Sequence, residues 1–75
     1  MKEIVEVIAR SLVEHPEAVV VEEKQDGGQT VLELHVASDD MGKVIGKQGR
    51  IAKAMRTVVK AAAMRENRKV TVEII

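Results

Sequence analysis

Val44-Ile45-Gly46-Lys47-Gln48-Gly49-Arg50-Ile51 sets a G-x-x-G turn between two apolar helical segments and brings basic side chains to the place where a phosphodiester backbone could approach. Glycine at both corners leaves no Cβ in the way of a ligand and tolerates the positive φ that a tight connection between helices demands. The helix that follows offers free N–H groups and a partial positive charge to a phosphate. A G-x-x-G also arises where glycines merely end helices, so the flanking chain has to carry the reading.

Outward from the turn, Ser38 or Asp39 can cap a short helix running through Ile45, and Arg50 to about Met64 reads as a longer one. Within it Ile51, Met55, Val58 and Ala62 follow the spacing of a core stripe, and Lys53, Arg56 and Lys60 fall opposite, towards water. Upstream, Ile4, Val5, Ile8 and Leu12 share one side of an amphipathic helix that ends near His15-Pro16. Ala18 to Glu23 is a short strand rich in β-branched residues. After Asp26-Gly27-Gly28 comes Thr30 to Ala37, where Leu32, Leu34 and Val36 alternate with Glu33 and His35, so the pair reads as a hairpin closed by a glycine turn. Val70, Val72 and Ile74 alternate with Thr71 and Glu73 as a last strand.

The expected order is helix, strand, strand, short helix, G-x-x-G, helix, strand. Alternation in the second and third strands predicts a sheet apolar on one face and covered there by helices. Two helices separate those strands, which makes them parallel neighbours joined by a right-handed crossover. The fold class is therefore α+β, with a mixed three-stranded sheet. At 75 residues the chain has room for one domain, 1–75, with a small core; such a chain buries only about 60% of its extended surface, and an oligomer or partner would help it.

Charge points the same way as the turn. The net is zero, yet residues 1–40 hold three basic side chains against ten acidic ones, and residues 41–75 hold nine against two, so the halves carry −7 and +7. That asymmetry fits an electropositive patch around the G-x-x-G segment. It fits equally a pair of solvated faces or head-to-tail attraction between copies.

Other chemistries are poorly supplied. There is no cysteine, hence no disulfide framework and no Cys-based zinc site. Lys2, Glu3, Glu6, Arg10 and Glu14 interrupt the first fifteen residues, which excludes a signal peptide's apolar core and a membrane span there; the expected compartment is the cytoplasm. Gly42-Lys43-Val44-Ile45-Gly46-Lys47-Gln48 imitates a P-loop, but the glycine spacing is one residue short and Gln48 stands where a hydroxyl would bind magnesium. His15 and His35 lack metal-ligand spacing, and Glu22-Glu23 and Asp39-Asp40 lack an acid or base partner; solubility and helix capping account for the carboxylates. No catalytic residue, metal or cofactor is expected. The absence of Phe, Trp and Tyr removes the stacking platforms of several RNA-binding folds.

With this element order around Gly46-Lys47-Gln48-Gly49, the chain resembles type II KH domains over essentially its whole length, and most nearly the small stand-alone bacterial KH proteins of the KhpA type. One departure is that Ile51 stands second after the second glycine, where many KH domains have an aliphatic residue third. The resemblance implies a clamp on single-stranded RNA by its backbone, with Lys43, Ile45, Gly46, Lys47, Gln48, Gly49, Arg50 and Lys53 as the candidate RNA-binding residues. Bases would lie over aliphatics such as Val44 and Ile45; both also fit the core, Val44 the more readily. It further implies an RNA-chaperone or post-transcriptional regulatory role. Self-association, pairing with a larger KH-containing RNA-binding protein of the KhpB type, and links to cell-envelope and cell-length control also follow from the resemblance. A different class of reading makes the G-x-x-G region a dimer surface in a protein-interaction module with little RNA binding.

Overall fold

The computed structural model describes residues 1–75. Its elements follow the expected order: α1 (Lys2–Leu12), β1 (Val20–Asp26), β2 (Gln29–His35), α2 (Met41–Ile45), α3 (Arg50–Arg65) and β3 (Val70–Ile74), with single 3-10 turns at Pro16–Ala18, Ser38–Asp40 and Lys47–Gly49. The differences lie at the ends. α1 stops at Leu12, short of His15, and β1 starts at Val20 rather than Ala18 and continues to Asp26.

The sheet order is β1-β2-β3. β1 and β2 are antiparallel, with Val21 opposite Leu34 and Asp26 opposite Gln29. Their turn is Gly27-Gly28, with φ of +54° and +89°, the two positive values that a two-residue hairpin matching the strand twist requires. β2 and β3 are parallel, with Thr30 level with Val70 and Leu32 with Val72. Thr30, Leu32, Leu34, Val70 and Val72 are buried on the helix side, while Glu33, His35, Thr71 and Glu73 occupy the other face. The helices therefore cover one face of a mixed three-stranded α+β sheet, and none is long and apolar enough to cross a membrane.

Val5 and Ala9 of α1, Val44 of α2, and Met55, Val59 and Ala63 of α3 meet those strand residues in one core. Ile4, Ile8 and Ile74 pack at its margin. The buried stripe of α3 is Ala52, Met55, Val59 and Ala63, one position out of phase with the expected Ile51, Val58 and Ala62; Val58 is 48% exposed. Small alanines sit where α3 runs close to its neighbours, and a larger valine is left outside. Arg56 is the second correction. It does not simply face water: its Nε donates to the Val72 carbonyl at 3.1 Å, on the outer edge of β3.

α3 ends in a Schellman motif. Asn67, with φ +58°, donates its N–H to Met64 O at 3.1 Å, and Arg68 N–H reaches Ala63 O at 2.9 Å. This reversal sends the chain straight into β3.

The phase of α3 is measurable by urea unfolding. Met55→Ala should cost about 2–5 kcal/mol. Val58→Ala should stay within about 0.5 kcal/mol.

Candidate nucleic-acid interface

α2 is only five residues long and is held from outside itself. Asp40, 1% exposed, precedes it, and its carboxylate turns to the exit of α1: Oδ1 accepts the Glu14 N–H at 3.2 Å and Oδ2 the His15 N–H at 3.0 Å. Lys43, one turn into α2, stands 3.5 Å from Asp40 Oδ1 and 3.7 Å from Glu14 Oε1. The expected cap by Ser38 or Asp39 is not made: both lie in the 3-10 turn before α2, and the residue at the cap position, Asp40, turns its carboxylate across the structure to Glu14 and His15. Burial pushes the Asp40 carboxyl up, and the N–H groups of Glu14 and His15 together with Lys43 more than offset it, so it lies below its ordinary value. Val44 then points into the core and Ile45 outward, 37% exposed.

The two glycines of the turn have different duties. Gly46 has φ +78° and ψ 171°, a region open essentially to glycine alone, and its N–H closes α2 on Gly42 O at 2.9 Å. A Cβ there would stand 2.6 Å from Cγ1 of Ile51, so Ile51 packs directly on the bare Cα. Gly49 is left-handed at φ +72°, and a Cβ would meet nothing within 4 Å: the space before it is open. Between them Gln48 is also left-handed, at φ 58° and ψ 26°, and its Oε1 accepts from Arg50 Nη2 at 3.0 Å.

α3 begins at Arg50 with no side-chain cap and no acidic residue in its first turn. The positive end of a sixteen-residue helix is thus presented to solvent beside Lys47, Gln48, Arg50 and, one turn on, Lys53, all exposed. Of the eight candidate residues, Gly46 to Arg50 form one surface with exposed Ile45 before it and Lys53 behind it. Lys43 differs, because its ammonium already faces two carboxylates. The histidines lie elsewhere, His15 at 3.4 Å from Asp39 and His35 at 3.4 Å from Glu22. Asp40 corrects the reading of Asp39-Asp40 as carboxylates for solubility and capping: it is buried, makes no cap and stands beside Lys43, and the one local hint of this is an acid three residues before a lysine at a helix start.

A family model described as KhpA/KhpB, KH domain, matches residues 2–74. The chain belongs to the KhpA/KhpB family of KH domains. A Clostridium perfringens protein named RNA-binding protein KhpA is 67% identical over 75 residues, covering all of both chains. A Listeria monocytogenes protein of the same name is 45% identical over all of this chain and 99% of its own. Among solved structures, a crystal structure of an Aquifex aeolicus Era variant bound to GDP and aluminium fluoride matches at TM-score 0.64 and 23% identity. It covers 96% of this chain and 28% of that one, a likeness of fold.

Within this KhpA/KhpB-type domain, Gly46→Ala should destabilise well beyond Gly49→Ala in thermal unfolding, because it adds a clash with Ile51 to the backbone strain. Gly49→Ala should cost about 1–2 kcal/mol, the strain alone. Asp40 predicts an acid limb. Its folded pKa is below the unfolded one, so its contribution is whole above about pH 4, the ordinary aspartate range, and is lost as pH falls through the lower folded value. Circular dichroism against pH should show that limb in the native chain and a diminished one in Asp40→Asn.

Proposed function

We propose that the chain, as a single KH domain over residues 1–75, binds single-stranded RNA and holds its backbone at the G-x-x-G turn. The observation that carries this reading is the uncapped, acid-free start of α3 behind Gly49, whose outward side is open. A phosphate approaching there meets no Cβ at Gly49 and faces the positive end of the α3 dipole, while the Gly49 and Arg50 N–H groups themselves donate to Gly46 O and Lys47 O. Lys47, Gln48 and Arg50 flank that approach, Lys53 extends it along α3, and Ile45 supplies an apolar surface beside Gly46 for a base. Lys43 takes part by leaving one of its two carboxylates for a phosphate. The name RNA-binding protein KhpA, carried by relatives matching over the full length, supports the same reading.

A clamp of about four nucleotides without aromatic stacking gives modest affinity and little base preference. Such a site suits a protein that binds many RNAs and releases them, which is the behaviour of an RNA chaperone or post-transcriptional regulator acting in the cytoplasm. Self-association or pairing with a larger KH protein of the KhpB type would raise affinity through effective concentration. A role in cell shape and wall organisation belongs to the same proposal.

The test is binding of labelled single-stranded RNA at two salt concentrations by the native chain and by a Lys47→Asp, Gln48→Asp double variant checked for folding. The native chain should bind with a slope of about −0.7 per phosphate contact in log–log form, with roughly two or three contacts. The folded variant should lose most of that binding. Equal binding by both proteins would remove the clamp from this turn.

A further inference from the structure

α3 separates the G-x-x-G turn from a second basic cluster. With a rise of ~1.5 Å per residue, its sixteen residues span roughly 24 Å. At the far end the Schellman reversal brings Asn67, Arg68 and Lys69 against the Gly27-Gly28 hairpin, and the Lys69 carbonyl accepts the Thr30 N–H at 2.9 Å, fastening the loop to β2. A cleft of about 540 Å³ lies there, with Gln25, Gly27, Gly28 and Thr30 on the hairpin side and Asn67, Arg68 and Lys69 opposite. No lining residue is apolar and none is acidic.

The cations of this cleft are set differently. Arg68 is oriented: its Nη2 donates to Thr30 Oγ1 at 3.3 Å, that hydroxyl donates to Gln25 Oε1 at 3.3 Å, and Nη1 stands 3.8 Å from Glu66. Lys69 enters none of the ion pairs of the structure. The negative end of α3 is nearby, but the Ala63 and Met64 carbonyls are occupied within the reversal and Arg65 stands in the last turn. The charge left over is that of Lys69.

Two adjoining clefts lead back along α3. One of about 360 Å³ shares Arg68 and Lys69 and adds Lys60; another of about 460 Å³ shares Lys60 and adds Arg56, with Asp26 and Glu73 the acids on that route. Four cations thus line one edge of the molecule.

We infer that the cleft between the Gly27-Gly28 hairpin and the α3–β3 loop is a second phosphodiester-binding site, taking the backbone of the same RNA strand beyond the stretch held at the G-x-x-G turn. This rests on the RNA-clamp reading. A wholly polar lining gives no seat to a base, whereas an oriented guanidinium and a free ammonium match phosphate, and the amides of Gln25 and Asn67 match a ribose hydroxyl. Strands long enough to span α3 engage both ends; a strand limited to the clamp engages one.

The experiment compares labelled oligoribonucleotides of about five and about fifteen nucleotides, the first near clamp size, on the native chain, Lys69→Glu, Lys69→Arg and an Arg68→Glu, Lys69→Glu pair, with circular dichroism as the folding control. Lys69→Glu should weaken the longer RNA by about five- to tenfold and lower its salt slope by roughly 0.7, the share of one contact. It should leave the shorter RNA unchanged, and Lys69→Arg should bind both as the native chain does. If Arg68→Glu, Lys69→Glu does not fold, Lys69→Glu alone decides. Equal weakening of both lengths, or none of either, overturns the second site while leaving the clamp intact. Failure of the native chain to bind either RNA overturns the clamp, and this inference with it.

Discussion

A buried carboxylate sets the geometry on which the turn depends. Asp40 lies inside the protein with two backbone N–H groups on its oxygens and an ammonium beside it, the condition under which a charge can be kept away from water. Five residues cannot sustain a free-standing helix, so α2 keeps its shape because this contact ties its start to the exit of α1 and Val44 anchors its middle in the core. The direction in which α2 ends determines where Gly46 lies, and Gly46 determines how closely Ile51 and the first turn of α3 can approach.

The conformation of the G-x-x-G turn is therefore set by contacts within the protein. Gly46 is required by packing and by its backbone angles, Gln48 is held left-handed and joined to Arg50, and Gly49 alone is spared any neighbour. A surface fixed in advance loses little conformational entropy on binding. That matters for a chain with no aromatic side chain to stack on a base. Charge is distributed to the same end, with most of the acids on β1, β2 and the connections of the first half and the cations along α3 and its flanks.

Much of this was legible in the sequence because the relevant spacings are local. The alternation in β2 and β3, the paired hairpin glycines and the glycines at the turn depend on residues a few positions apart, and they yielded the order of elements, the parallel pairing and the covered face. What was not legible depends on distant partners. Asp40 finds its donors 26 and 25 residues upstream, and Arg56 its carbonyl 16 residues downstream. The phase of α3 slipped because Ala52 and Ala63, buried where helices and sheet come close, register weakly as apolar, whereas exposed Val58 registers strongly. The contrast between Gly46 and Gly49 is likewise invisible until the Ile51 side chain has been placed.

The Arg56 contact with the outer carbonyl of Val72 has a further consequence. β3 is an edge strand, and an edge carbonyl left bare is an invitation for a stranger's strand to pair. A guanidinium laid over it acts as a guard, and the same guanidinium lies on the cationic side of α3. Any anion that drew Arg56 away would leave the sheet margin briefly unguarded, so in this small fold protection from unwanted strand pairing at that carbonyl rests on one displaceable side chain.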